Sequence, residues 1–376
     1  MKTNLLTAFI LISVLGYSQE RFFQFTTGWK SLKIFEFNNH YTVASVAATV
    51  PYENHINFES LDYFGDSLSN YIFEIDTAVS TDLYYTNSFA TKGTDIFAAG
   101  YVCGHASNTF YPFITKFESD FSNTKWTRFI SDNANGNNFI ISAKNDSILS
   151  IGTYEKTGNT LFSRFTEIDT SGQVHWQKDF YCGSNCNMWP FHILPTPDKG
   201  YLFTCFETHM STMPGPEDIF TAVIKTDSLG NTQWRHTWGG DSTKNIGSWV
   251  VPLDDGNYLF AWSDNDYSGY NANAFPERTV HFIKFDIAGN TIWHKDLRNF
   301  IHDEYYNISQ MELMPDGNII IALSGFIESG LAKIDQNANL IWYRDHLMPP
   351  GLSLSENTAS YSNMKISGVT FTSDGG

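Results

Sequence analysis

Basic side chains are scarce in this chain: 23 Lys and Arg stand against 40 acidic residues among 376, for a net charge of −17. Nucleic acid bound without regard to its sequence is held by basic groups that neutralise phosphates, so no nucleic-acid partner is expected. Charged residues make up only 17% of the chain and aromatics 16%, a balance that suits short half-buried strands better than exposed helices. Helical periodicity beyond two turns is missing outside the N-terminal leader. Long apolar runs are missing too, except residues 5–15, which follow Lys2 and lead to Gly16-Tyr17-Ser18. That segment reads as a secretory leader (1–18) cut after Ser18, leaving Gln19 as the mature terminus. It is too short to anchor in a bilayer and nothing comparable follows. A secreted or cell-surface protein is expected, with no membrane-spanning segment in the mature chain.

Four cysteines are too few for a disulfide scaffold at this length. Cys182 and Cys186 are spaced for a local disulfide, with a metal pair as the rival reading; Cys103 and Cys205 fall on apolar strands and read as buried thiols. No zinc-protease pair, nucleophile elbow, phosphate loop or dinucleotide fingerprint occurs. The carboxylates are too numerous for sequence to select a catalytic pair, and no catalytic residue is assigned.

What is present is a repeat. Trp176, Trp234, Trp293 and Trp342 each follow an aspartate by seven residues (Asp169, Asp227, Asp286, Asp335). Gly172, Gly230 and Gly289 stand four residues before the first three, and Ala338 takes that place before Trp342. Trp126 keeps the register with Ser119 and Ser122 in place of Asp and Gly, and Asp66 to Phe73 fits with Phe73 replacing the tryptophan. Turn signals alternate with these units. Asn39, Gly93, Asp146, Gly200, Gly256, Gly317 and Gly375 are separated by 54, 53, 54, 56, 61 and 58 residues, a period near 56. Such turns supply the positive φ that tight hairpins need.

Each period holds four strands, which predicts an all-β fold, a β-propeller of four-stranded antiparallel blades occupying residues 19–376 as a single domain. In each turn the aspartate accepts from backbone N–H groups, the glycine relieves the last turn residue, and the tryptophan offers an apolar plate to the next blade. Residues 22–28 resemble 233–239, with Phe23 at the tryptophan position; residues 364–376 read as an inner strand and its turn. Counting Phe23, Phe73, Trp126, Trp176, Trp234, Trp293 and Trp342 as docking residues gives seven blades, with eight as the alternative. The closing blade is then built incompletely from both ends of a C-terminally truncated chain.

The spacing resembles the tryptophan-docking motif of quinoprotein-like propellers, with one residue fewer between Asp and Gly. With Gly239-Gly240 after a tryptophan, the pattern is similar to secreted propeller-repeat proteins of Bacteroidota. That resemblance implies a fold, an export route and a sorting domain beyond residue 376; it implies no catalytic residue.

Function is expected in the irregular loops. Asp264, Asp266 and Ser268 place oxygen ligands at alternate positions before Gly269, as in the first half of a calcium loop, although Phe275 stands where the bidentate acid belongs; a polar surface loop has the same look. No cofactor is required, with calcium as the one candidate. Tyr111, Trp189, Tyr267 and Tyr270 are candidate ligand-stacking residues, against the plainer reading that they pack their own loops. The expected protein is a monomeric, non-enzymatic binding or adhesion module for an extracellular glycan or protein. The alternative is a propeller enzyme, either polysaccharide-degrading or a quinoprotein-like oxidoreductase.

Overall fold

The computed structural model of the chain describes residues 8–12, 21–25, 30–37, 40–50, 53–62, 66–73, 80–82, 88–92, 95–103, 110–130, 139–145, 147–157, 160–183, 186–209, 218–239, 246–265, 278–298, 307–324 and 329–346. They form an all-β propeller of six antiparallel blades. The first is Lys30–Glu36, Tyr41–Val50, Glu53–Leu61 and Ser67–Phe73. In the second, two short strands, Ser80–Asp82 and Phe89–Lys92, share the inner place beside Asp95–Cys103, followed by Phe110–Phe117 and Thr124–Phe129. The third is Phe139–Ala143, Ile148–Thr157, Thr160–Asp169 and Val174–Phe180. The fourth is Cys186–Pro195, Tyr201–His209, Asp218–Thr226 and Thr232–Gly239. The fifth is Ile246–Pro252, Tyr258–Asn265, Arg278–Phe285 and Thr291–Arg298. The sixth is Asn307–Leu313, Ile319–Ser324, Ser329–Ile334 and Leu340–His346.

The expected seven blades, or eight, are therefore corrected to six. Phe23, counted as the docking residue of a closing blade, lies on Arg21–Phe25, which pairs with Ala8–Ile12 in a separate two-stranded sheet, Phe23 opposite Ile10. An apolar strand does not by itself specify its partner, and here the partner is Ala8–Ile12 rather than a blade edge. Residues 364–376, the other half of the expected closing blade, lie outside the described residues.

A bulge fixes the register of every outer strand. In the fourth blade Lys225 faces Trp234 while the next residue, Thr226, faces Thr232. The same step sets Trp126, Trp176, Trp293 and Trp342 opposite Lys116, Glu167, Lys284 and Lys333. The turn just before it is built as its residues require: Asp227 Oδ1 accepts from the backbone N–H of Leu229 at 2.9 Å and of Asn231 at 2.8 Å, and Gly230 sits at φ 78°. Glycine is needed there twice over, because a Cβ at Gly230 would lie 2.7 Å from the Trp176 ring of the preceding blade. Trp234 likewise covers Gly289 of the fifth blade and donates Nε1–H to the Ile287 carbonyl at 3.0 Å.

Two turn assignments change. In the first blade the bulge pairs Ser60 with Ser69 and Leu61 with Ser67, so Ser69, and not Phe73, occupies the tryptophan place, and Asp62 is the turn aspartate. Asp62 Oδ1 accepts from the Asp66 N–H at 2.9 Å. In the second blade the turn is one residue longer, with Glu118 N–H bonded to the Asn123 carbonyl, and its positive-φ residue is Phe121 (56°) rather than Ser122.

Successive blades bury a hydrophobic cluster between them. Phe35, Phe58 and Phe73 meet Phe89, Phe113 and Phe121 across the first interface, and Trp249, Leu259 and Phe282 meet Met311, Ile321 and Ile334 across the fifth. Lysines opposite the docking tryptophans pair with aspartates of the first hairpin turn: Lys225 with Asp198 (2.7 Å), Lys284 with Asp255 (2.6 Å), Lys333 with Asp316 (2.6 Å) and Lys116 with Asp95 (2.7 Å). Lys225 is fully buried, so Asp198 balances a charge taken out of water.

Candidate functional site

The end of each blade away from these turns carries the connections between second and third strands and between blades. There the third, fourth and fifth blades share an arrangement. Six residues beyond Leu149, Tyr201 and Tyr258, which face the bulge residues Ile168, Thr226 and Phe285, stand Glu155, Glu207 and Asp264. All three face basic groups on other strands of their own blade.

In the third blade Arg164 binds Asp179 through two nitrogens, at 2.6 and 2.9 Å, and Glu155 at 2.6 Å. Burial pushes the Glu155 carboxyl up, against the lowering pull of Arg164. In the fourth blade Glu207, almost fully buried, pairs with Arg235, whose other arm donates to the Tyr181 carbonyl at 3.0 Å. In the fifth blade the bases are histidines. Asp264 Oδ2 lies 3.0 Å from His281 Nε2, His281 Nδ1 lies 2.7 Å from Asp296 Oδ1, and His294 Nε2 lies 2.7 Å from the same oxygen. Burial disfavours the His281 imidazolium, but the two carboxylates outweigh it and hold the pKa above its usual value. Trp262 stacks on the His281 ring at 4.6 Å and 14°. By register His281 corresponds to Arg164, Asp296 to Asp179, and His294 to Arg235.

Aromatic rings flank these charges. Trp189, on the inner strand of the fourth blade, stacks on Tyr154 of the third at 5.1 Å and 25°. Trp238 lies parallel to Trp262 at 5.9 Å across the fourth interface, and Tyr111 is exposed at the start of its strand. Cys182 and Cys186 are joined in a disulfide, with Cα atoms 5.6 Å apart, beside Glu207. Cys205 is a buried free thiol whose pKa burial raises.

Solved structures share this architecture at low identity. A polysaccharide lyase aligns with a TM-score of 0.50 over 86% of this chain and 82% of its own, at 10% identity. A protein from Lactobacillus plantarum aligns at 0.48 over 78% of each chain and 11% identity. The β-propeller domain of a protease from Pyrococcus furiosus aligns at 0.41, over 84% of this chain and 94% of its own, at 9% identity. The shared feature is the fold alone. No family model and no curated protein matches the sequence.

The sequence candidates distribute unevenly over this site. Asp264 belongs to it, but its oxygens face His281 and the Thr279 N–H (3.2 Å). Asp266, Ser268, Tyr267 and Tyr270 lie outside the described residues. Tyr111 and Trp189 belong to different blades. The acid–base chains went unnoticed in the sequence, although the equal offset of Glu155, Glu207 and Asp264 from the repeat was a signal available there. No helix among the described residues is long and apolar enough to cross a membrane.

Proposed function

We propose that this is an exported, non-enzymatic binding propeller that recognises a glycan through the connection-bearing end of its third to fifth blades. The observation that carries the reading is Trp189, half-buried and stacked on Tyr154, close in sequence to the bridged Cys182–Cys186 loop. A fixed indole beside polar groups suits a sugar ring, which has an apolar face and a hydroxyl rim. Pre-positioning by the stack and the disulfide lowers the ordering cost of binding.

A hydrolytic reading would need a free acid and a free base. Glu155 and Glu207, the buried carboxylates at this end among the described residues, are both committed to arginines, which favours recognition over catalysis. A glycan array probed with chain recovered from the medium, its N-terminus expected at Gln19, tests the proposal. Binding to a restricted set of glycans is expected, weakened at least about tenfold in Trp189→Ala. An array without signal, or binding unchanged in that variant, overturns it.

A further inference from the structure

We propose that the fifth blade carries a divalent metal site of the zinc class, with His281 Nδ1, His294 Nε2 and a carboxylate oxygen of Asp296 as protein ligands. The three ligand atoms lie within 4.8 Å of one another, and both nitrogens already converge at 2.7 Å on one Asp296 oxygen. Imidazole and carboxylate are ligands that zinc takes at about 2.0–2.2 Å, so an ion needs the carboxylate to swing outward by a fraction of an ångström. Asp296 is half exposed (49%) and free to do so.

The surroundings match what a ligating histidine requires. A metal-bound imidazole is oriented by a carboxylate on its other nitrogen. His281 Nε2 is buried, and the Asp264 oxygen that would orient it lies 3.0 Å away. Trp262 fixes the plane of the same ring. His294, 45% exposed, leaves the ion a path from solvent and a position for water. Comparison with the two preceding blades isolates the site. Arg164 and Gln177 in the third blade, and Ala222 and Arg235 in the fourth, fill the places of His281 and His294. None of these side chains is among the usual ligands of zinc, so of the third to fifth blades only the fifth brings ligating types together. The site differs from a calcium loop in its nitrogen donors, which select transition metals over hard cations.

The test is calorimetric titration of the untagged protein with Zn²⁺, with Co²⁺ as a spectroscopic probe. One ion per chain is expected, with the visible absorption of a tetrahedral cobalt centre. His294→Gln, on an exposed side chain that folding tolerates, should weaken uptake at least about 100-fold. Asp264→Asn should weaken it about 10–100-fold while leaving the cobalt spectrum tetrahedral, and His236→Gln, outside the cluster, should leave both unchanged. Uptake unaffected by His294→Gln, or no uptake near one equivalent, overturns the assignment. Glycan binding is measured separately, so failure of either proposal leaves the other standing.

Discussion

The first and fourth blade interfaces solve one packing problem from opposite sides. Between the fourth and fifth blades the ring comes from the earlier blade: Trp234 covers Gly289 and hydrogen-bonds the turn. Between the first and second blades the equivalent place holds Ser69. There the ring comes from the later blade, where Phe121 reaches back from the longer turn and stacks on Phe58 at 4.2 Å and 20°. It also meets Phe35 at 5.0 Å. The interface needs an aromatic plate between an outer edge and the neighbouring turn, and either partner can supply it. The local cost differs. A non-glycine residue at φ 56° carries about 1–2 kcal/mol of strain, which burial of a whole phenylalanine ring offsets.

The largest effect that tests this equivalence is Phe121→Ala. Phe121 is 1% exposed, and its loss opens a cavity among the phenylalanines it touches. A destabilisation of about 3–5 kcal/mol is expected, read as a lower denaturation midpoint. Alanine keeps the same positive-φ strain, so the change isolates the ring. An effect below about 1 kcal/mol would show that Phe121 fills no structural gap.

Trp234→Ala should cost somewhat less, about 2–4 kcal/mol. The indole is half-buried, but its loss also removes the bond to Ile287 and uncovers Gly289. The midpoint shifts of the two variants can be compared directly because each removes the plate that lies between an outer edge and the neighbouring turn. A Trp234→Ala shift well above that of Phe121→Ala would break the equivalence.

The same contrast explains what could be read from the residues. The turn at Asp227 to Gly230 is legible because its chemistry is local: a carboxylate for nearby N–H groups, a glycine for positive φ, a tryptophan at fixed distance. The first blade defeated that reading because Asp62 and Asp66 both fit the pattern. Only the pairing of Ser60 with Ser69 decides between them, and pairing is not local. Phe23 was miscounted for a related reason, since an apolar strand does not name its partner. The lysines opposite the docking tryptophans were legible and missed: Lys116, Lys225, Lys284 and Lys333 each stand two residues before the turn acid. The candidate site was less legible. Its acids share one offset, but their bases come from the third strand at Arg164, the fourth at Arg235 and both at His281 and His294.

Ser69→Ala is the smallest and most discriminating change. If the place of the docking tryptophan mattered in itself, whatever occupies it should matter. If the ring matters, Ser69 is a bystander. Ser69 is exposed and lines a cleft of about 350 Å³ together with Tyr71 and Phe121. Replacing an exposed hydroxyl with a methyl group should move stability by less than about 0.5 kcal/mol in either direction. A loss above about 1 kcal/mol would mean that Ser69 closes the interface through its hydroxyl, and that Phe121 supplements a contact instead of replacing one. Paired with Phe121→Ala in a double-mutant cycle, the two changes should add, because the serine contributes nothing for the ring to compensate.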